Sequence, residues 1–275
     1  MKREVLILCA IALITLFSSC KKEPLEPPVE ISPQNPLIMD LNTSQDFSAN
    51  LPVFWTFSHP NAGEIETNGT FTSMDSIGHY YLIATSQADE TNRDTVSVRV
   101  SNRADILNEI ISGGYVIYLR HAIATVGADS LNFPLGWQRS CNSDTARQLS
   151  PEGITQAKDL GAAFRGLKIP LAEKIFTSEF CRCLQTPELM DLGKQTYTEK
   201  DLTFHVYGED ERHQKTLNFI DSLNPVNENY LVVSHSFGPG STLPQIEQGY
   251  AAIFKPQSGP TFVAIVRDDE LIILK

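Results

Sequence analysis

Residues Tyr115 to His121 read YVIYLRH, five apolar or aromatic residues followed by an arginine and a histidine. Residues Tyr230 to His235 have the same form, because the run YLVVS also ends at a histidine. Short β-branched and aromatic runs of this kind predict buried strands. In an open α/β sheet, ligands bind beyond the carboxyl ends of the strands. Both histidines are therefore candidate site residues.

Helical patterns lie between and around these strands. Ser150 and Pro151 form an N-cap and first-turn pair, and apolar residues then recur at helical spacing over 154–164. Helix and strand signals alternate from Ala104 onward, which predicts an α/β layer fold with a largely parallel sheet. We place this domain at residues 102–275.

The first 19 residues have the pattern of a targeting signal. Lys2 and Arg3 precede the apolar run Val5 to Phe17, which is too short to span a bilayer comfortably. The run ends in LFSSC, which resembles the lipobox of bacterial lipoproteins. The resemblance implies lipidation of Cys20 and anchoring in a bacterial cell envelope, in the periplasm or on the outer-membrane surface. An ordinary secretory signal with an incidental cysteine is the alternative.

Two further segments precede the α/β domain. Residues 20–36 are rich in proline and charge and predict a semi-extended tether, or a disordered spacer of similar length. Residues 37–101 carry only strand-like runs, separated by Asn, Gly, Asp and Ser, and predict a small all-β sandwich.

Residues 37–101 also have a recognisable order of aromatic and glycine positions. This order, from Trp55 to the GHYY run at Gly78, resembles that of bacterial immunoglobulin-like domains. The core is expected to rest on Trp55, Phe57, Phe71 and Tyr81. The resemblance implies a spacer that presents the next domain, or a binder of glycan or protein.

Charge and cysteine content limit the classes of partner and site. The formal net charge of −11 at pH 7 argues against nucleic acid as a partner. Cys141, Cys181 and Cys183 belong to a chain expected to be exported, where a disulfide can persist. We expect a bridge from Cys141 to Cys181 or to Cys183, with buried thiols as the alternative. The CRC spacing is a poor zinc pattern, and no metal site is predicted.

Four motifs follow one another in the α/β domain. They are the Arg-His pair at 120–121, RQLSPEG at 147–153, the TS–CR–QT pattern over 177–186, and VSH at 233–235. In this order they resemble the histidine phosphatase superfamily, in its first branch, over nearly all of residues 113–266. The resemblance implies a three-layer α/β/α, phosphoglycerate-mutase-like domain. It also implies cleavage of a small phosphate ester through a phosphohistidine, without cofactor or metal ion.

The resemblance assigns roles position by position. It places the nucleophile on His121 and a phosphate-binding guanidinium on Arg120. The second arginine of the family falls on Arg182 and the second histidine on His235. Arg147 matches a phosphate-binding arginine of some exported members.

These residue types suit phosphoryl transfer. The transferred group spreads negative charge over three oxygens, so catalysis depends on positioning and electrostatic stabilisation. Arginine binds phosphate oxygens through a planar fork of donors and keeps its charge. A nucleophilic histidine needs one unprotonated ring nitrogen, which usually requires the other to donate to a fixed acceptor.

A leaving alkoxide also needs a proton donor. The family supplies a carboxyl group from a loop after the second arginine. The candidates here are Glu209, Asp210 and Glu211, of which Glu209 and Asp210 rank equally first. The alternative interpretation of this run is an exposed helix start, where acidic residues are favoured. The second Arg-His pair, Arg212 and His213, is interpreted as solvated surface.

Two positions depart from the family pattern. Ala122 stands where glycine is common and Ile123 where an acidic residue is common. They change the pocket wall, so the sequence does not determine the class of substrate.

The sequence supports two hypotheses, of which the first is an exported phosphatase. The second is a surface binding lipoprotein whose immunoglobulin-like module binds and whose phosphatase-like domain is catalytically inactive.

Overall fold

The computed structural model describes most of the chain beyond the predicted signal. The described residues are 26–34, 38–129, 135–204, 206–207, 212–238, 241, 243–257 and 259–275. The predicted signal peptide and Cys20 lie outside them. Within these ranges no helix has the length and apolar character needed to cross a membrane.

The N-terminal part of the described chain is all-β. Its eight strands are β1 (Ile31–Ser32), β2 (Ser44–Asp46), β3 (Ser48–Ala49), β4 (Val53–Phe57), β5 (Gly63–Ile65), β6 (Thr70–Ser73), β7 (Gly78–Ser86) and β8 (Arg93–Val100). They form two three-stranded antiparallel sheets, ordered β2-β6-β5 and β4-β7-β8, and a β1-β3 pair. The immunoglobulin-like assignment of this β domain stays a prediction.

Both larger sheets of the β domain contribute to one core. Phe71 from β6 is buried together with Leu82 from β7 and Val98 from β8. Alternate residues of β8 point inward, as the two-residue period of a strand requires. Trp55 packs against this core as predicted, but Tyr81 is largely exposed because it lies on the outer face of β7.

The β domain begins earlier in the chain than the sequence predicts. Val29 and Ile31 are buried in its core. Their backbone N–H groups donate to the side chains of Asn92 and Asp94, each at 2.9 Å. Residues 26–34 are therefore packed against the β domain, which differs from the tether predicted over 20–36. The physical reason is that burial of two apolar side chains, with an amide and a carboxylate to accept the backbone hydrogen bonds, offsets the entropy lost in ordering a proline-rich segment.

In the described residues, the α/β domain follows with five α-helices and six strands. They are α1 (Ala104–Ser112), β9 (Val116–Arg120), α2 (Pro151–Gly166), β10 (Leu171–Thr177), α3 (Cys181–Met190), β11 (Gln195–Thr198), α4 (Arg212–Ser222), β12 (Asn229–Ser234), β13 (Ala251–Pro256), β14 (Pro260–Val266) and α5 (Asp268–Ile272). The predicted start of α2 is confirmed, because the Ser150 hydroxyl accepts from the Gly153 N–H at 3.2 Å and Pro151 takes the first helical position.

One six-stranded sheet organises the α/β domain. Its order is β11-β10-β12-β9-β13-β14. The first four strands are mutually parallel, β13 runs antiparallel to β9, and β14 runs antiparallel to β13. One face packs against α1, α2, α3 and α5, and the other packs against α4. The prediction of a three-layer α/β domain with a largely parallel sheet is confirmed.

The topology brings the two predicted histidines to one edge of this sheet. β9 and β12 are adjacent and parallel, and Arg120 pairs with Ser234 at the end of their ladder. The next residue on each strand is a histidine, His121 or His235. Both therefore leave the sheet side by side at its carboxyl edge.

Candidate active site

His121 is fixed by hydrogen bonds at both ring nitrogens. Its side chain is buried, with the residue 1% exposed, and Nδ1 lies 2.8 Å from the backbone oxygen of Ala122. The Nε of Arg182 donates to Nε2 at 3.2 Å. Nδ1 thus carries the proton and Nε2 carries a lone pair. Burial first, and then the charge of Arg182, hold the pKa of His121 well below 6.5.

Arg182 lies in the first turn of α3 and is only 2% exposed. Besides contacting His121, its guanidinium lies 4.1 Å from the ring centroid of Phe180. Thr186, one turn later, accepts a hydrogen bond from the Ala122 N–H at 3.1 Å. This bond connects α3 to the segment that follows His121, so the arginine and the histidine are held in one rigid unit.

His235 lies beside His121, with 5.5 Å between the ring centroids. Its Nε2 is 2.8 Å from the hydroxyl oxygen of Ser178. Phe180 and Phe204 pack against the ring at centroid distances of 4.9 and 5.5 Å. These contacts fix His235 beside His121, and its role in a reaction stays a prediction.

Two further arginines surround this pair. Arg120 donates through one terminal nitrogen to the Ile246 oxygen at 2.8 Å. The Nε atoms of Arg120 and Arg147 are buried, and no described residue accepts a hydrogen bond from either. Burial lowers the pKa of both guanidiniums, and their positive neighbours lower it further. Buried donors and concentrated positive charge are the features of an anion site.

Asp129 supplies a carboxylate at this site that the sequence analysis did not identify. It accepts from both terminal nitrogens of Arg182, at 2.8 and 3.1 Å, and from the Arg147 N–H at 3.0 Å. Its position depends on the path of the segment after His121, which no local pattern reveals. The only available signal was the excess of arginines, because buried cations call for a nearby anion.

Glu179 is a second carboxylate that the sequence did not reveal. It is buried and accepts from the Tyr207 hydroxyl at 2.6 Å and the Gln138 amide at 3.0 Å. It also forms an ion pair with Arg139. These bonds hold residues 137–139 against the start of α3, beside Ser178.

The predicted acid candidates, Glu209 and Asp210, lie outside the described residues.

The prediction that His213 belongs to the solvated surface is wrong. This residue is half-buried, and its ring lies 5.9 Å from that of Phe204 and 6.2 Å from that of Phe237. Phe204 and Phe237 lie outside the polar run that contains His213, so the local composition of that run did not reveal them.

The disulfide predicted for Cys141 is present, with the first of its two predicted partners. Cys141 is bonded to Cys181, which fastens the segment before α2 to the first residue of α3, next to Arg182. Cys183 is a buried thiol, and burial raises its pKa to about 12, so it is neutral.

Nowhere in the described ranges do three His, Cys, Asp or Glu side chains form a group that could hold a metal ion.

No family model matches the sequence, and no curated protein matches it. Several solved structures are similar. The protein histidine phosphatase SixA complexed with tungstate is 18% identical with a TM-score of 0.42, and the match covers 57% of this chain and 99% of SixA.

Two other similar structures are also phosphatases by description. The alpha-ribazole phosphatase from Shigella flexneri is 16% identical with a TM-score of 0.39, over 56% of this chain and 96% of that one. The phosphoserine phosphatase from Entamoeba histolytica, in complex with 3-phosphoglyceric acid, is 14% identical with a TM-score of 0.37, over 57% and 98%.

Proposed function

We propose that the α/β domain is a phosphohydrolase that cleaves small phosphate monoesters through a phosphohistidine on His121. The observation that carries this proposal is the hydrogen bonding of the His121 ring. Its Nδ1 is occupied by the Ala122 oxygen, so Nε2 presents a lone pair toward the arginines. A neutral nucleophile beside converging guanidiniums suits attack on a phosphoryl group.

The reaction would proceed in two displacements. In the first, Nε2 of His121 attacks phosphorus in line, a P–N bond forms, and the P–O bond breaks with its electron pair on the leaving oxygen. In the second, water attacks phosphorus and the P–N bond breaks, which releases phosphate and restores the imidazole. Arg120, Arg147 and Arg182 would bind the phosphoryl oxygens, and His235 would steady the group. These steps use only residues of the chain and water.

The remaining expectations from the sequence belong to this proposal. The protein would be exported and bound to the cell-envelope membrane through lipid on Cys20. The β domain would act as an immunoglobulin-like spacer, with glycan or protein contact as its second possible role. Neither nucleic acid nor a cofactor is expected as a partner.

The proposal is tested by hydrolysis of an aryl phosphate and a panel of phosphate esters. The purified full chain is assayed with EDTA present, beside His121→Ala and the control His59→Ala, which removes an exposed histidine of the β domain. We expect turnover by wild type and by His59→Ala, and loss of at least about 10³-fold in His121→Ala. Turnover by His121→Ala at the wild-type rate would contradict a phosphohistidine.

Absence of turnover in wild type would favour the second hypothesis, a binding lipoprotein with an inactive domain. One observation agrees with this hypothesis. The Asp129 carboxylate already accepts hydrogen bonds from both terminal nitrogens of Arg182. Calorimetric titration with inorganic phosphate would then measure whether the site still binds an oxyanion.

A further inference from the structure

The carboxylate of Asp129 occupies the terminal nitrogens of Arg182, which the proposed function assigns to a phosphoryl group. It is ion-paired with Arg182 through both of its oxygens, and it lies 3.7 Å from a terminal nitrogen of Arg147. These two arginines, one from α3 and one from the segment before α2, are the charged groups that act on it. The third donor is the Arg147 N–H.

Phosphoryl and carboxylate oxygens compete for the same donors. Either anion can fill a bidentate edge of a guanidinium. In Arg182 the Nε already donates to His121 and both terminal nitrogens donate to Asp129, so no bidentate edge is free. Arg182 is buried, so it cannot turn to solvent to serve both. A phosphoryl group that reaches His121 must therefore displace Asp129 from Arg182.

The displaced carboxyl group stays close to the reaction. The backbone of this segment is held by Val126, which pairs with Gln148, so the side chain can move while its anchor stays. Asp129 contacts the end of the guanidinium opposite to the Nε that faces His121. In an in-line displacement the leaving oxygen also lies on the far side of phosphorus from the attacking nitrogen.

On the basis of the proposed function, we propose that Asp129 is the leaving-group acid of this site and that it acts by exchange. The phosphoryl group displaces its carboxylate from Arg182, and the displaced carboxyl group then protonates the leaving oxygen.

Exchange explains how an ionised aspartate can become an acid only when substrate is present. In the structure, burial raises the pKa of Asp129, the charge of Arg182 lowers it, and the net direction is down. A bound phosphoryl dianion neutralises that arginine and places like charge beside the carboxylate. Both changes favour the protonated form, so the carboxyl group takes up a proton from solvent.

The proton balance closes over one turnover. The Asp129 carboxyl group gives its proton to the leaving oxygen as the P–O bond breaks. The resulting carboxylate takes a proton from the water that attacks the P–N bond. Phosphate then leaves, and Asp129 releases its proton to solvent as its carboxylate returns to Arg182. The same residue therefore serves as acid in the first step and as base in the second.

The test compares two classes of ester in Asp129→Asn, which keeps the shape of the side chain but cannot transfer a proton. We expect turnover of an alkyl phosphate to fall by about 10²-fold or more, because its leaving alkoxide needs a proton. Turnover of 4-nitrophenyl phosphate, whose leaving group is stable as an anion, should fall by less than about tenfold. Binding of sulfate, followed by calorimetry, should become tighter because the internal competitor has lost its charge.

Matched variants identify the residue responsible. Asp144→Asn changes an exposed aspartate of the same connection and should alter none of these quantities. Glu209→Gln and Asp210→Asn address the candidates that the family resemblance suggests. If one of them, and not Asp129→Asn, shows the selective loss on alkyl esters, the acid is there and the proposal is wrong.

Three other results would overturn the proposal. Equal loss on both esters in Asp129→Asn would mean that Asp129 only positions Arg182, and weaker sulfate binding would mean that it does not compete. A wild-type structure with sulfate on Arg182 and Asp129 still bonded to it would exclude exchange even if the variant fails to fold. Wild type inactive on both esters would instead defeat the proposed function, and the acid role with it.

Discussion

At the residue scale, the site is organised around the protonation state of one imidazole. Three guanidiniums act on His121, and they disfavour its positive form. Asp129 offsets part of this charge at Arg182, so the arginines can lie together without substrate. The Ala122 oxygen decides which nitrogen keeps the proton.

His121 should remain neutral as the pH is lowered through 6.5. Burial and then the charge of Arg182 hold its pKa well below that value, whereas the unfolded chain protonates near 6.5. The unfolded state therefore binds more protons below pH 6.5, and this residue lowers the free energy of unfolding there. Histidine ring NMR on labelled protein, assigned with His121→Gln, measures the midpoint. A His121 titration centred at 6.5 would contradict the geometry described.

At the scale of elements, close packing of α2 on α3 holds Arg182 in place. A Cβ atom on Gly161 of α2 would lie 1.9 Å from the Met190 oxygen at the end of α3, so the helices meet where no side chain intervenes. The Cys141–Cys181 bond fixes the other end of α3. Arg182 lies between these two constraints.

Gly161→Ala should destabilise the protein even though alanine favours helix. The added methyl group has to displace backbone, and overpacking of this kind costs about 1–3 kcal/mol of unfolding free energy. Gly166→Ala is the control at the end of the same helix, where the nearest atom is at an ordinary 3.4 Å. It should be neutral or gain up to about 1 kcal/mol. Denaturant unfolding compares the two, and equal effects would argue against the close α2–α3 contact.

At the scale of the whole molecule, the β domain is attached to the α/β domain by polar contacts and a shared segment. Arg99 of β8 donates to the Leu274 and Gly166 oxygens, both at 2.9 Å. Ile38 is buried with the α/β core, while its neighbour Met39 is buried with the β core. The two domains are thus held in contact near the α2 end and away from His121.

Arg99→Ala should loosen this contact. Two hydrogen bonds from a charged donor are lost, each worth about 1.5–3 kcal/mol, and two backbone oxygens lose a partner. We expect faster tryptic cleavage after Arg103, which lies between β8 and α1. The control is Arg93→Ala at the exposed start of β8. Unchanged cleavage in Arg99→Ala would show that Ile38 and its neighbours suffice to hold the domains together.

The sequence alone predicted the strands that end in His121 and His235, the Ser150 cap and the layered α/β fold. Strand propensity, capping and periodicity act over a few residues, so they can be recognised locally. Tertiary structure decided that Cys141 pairs with Cys181, that residues 26–34 join the β domain, and that Asp129 lies on Arg182. Each of these joins residues far apart in the chain, and which distant groups meet depends on how loops and layers pack.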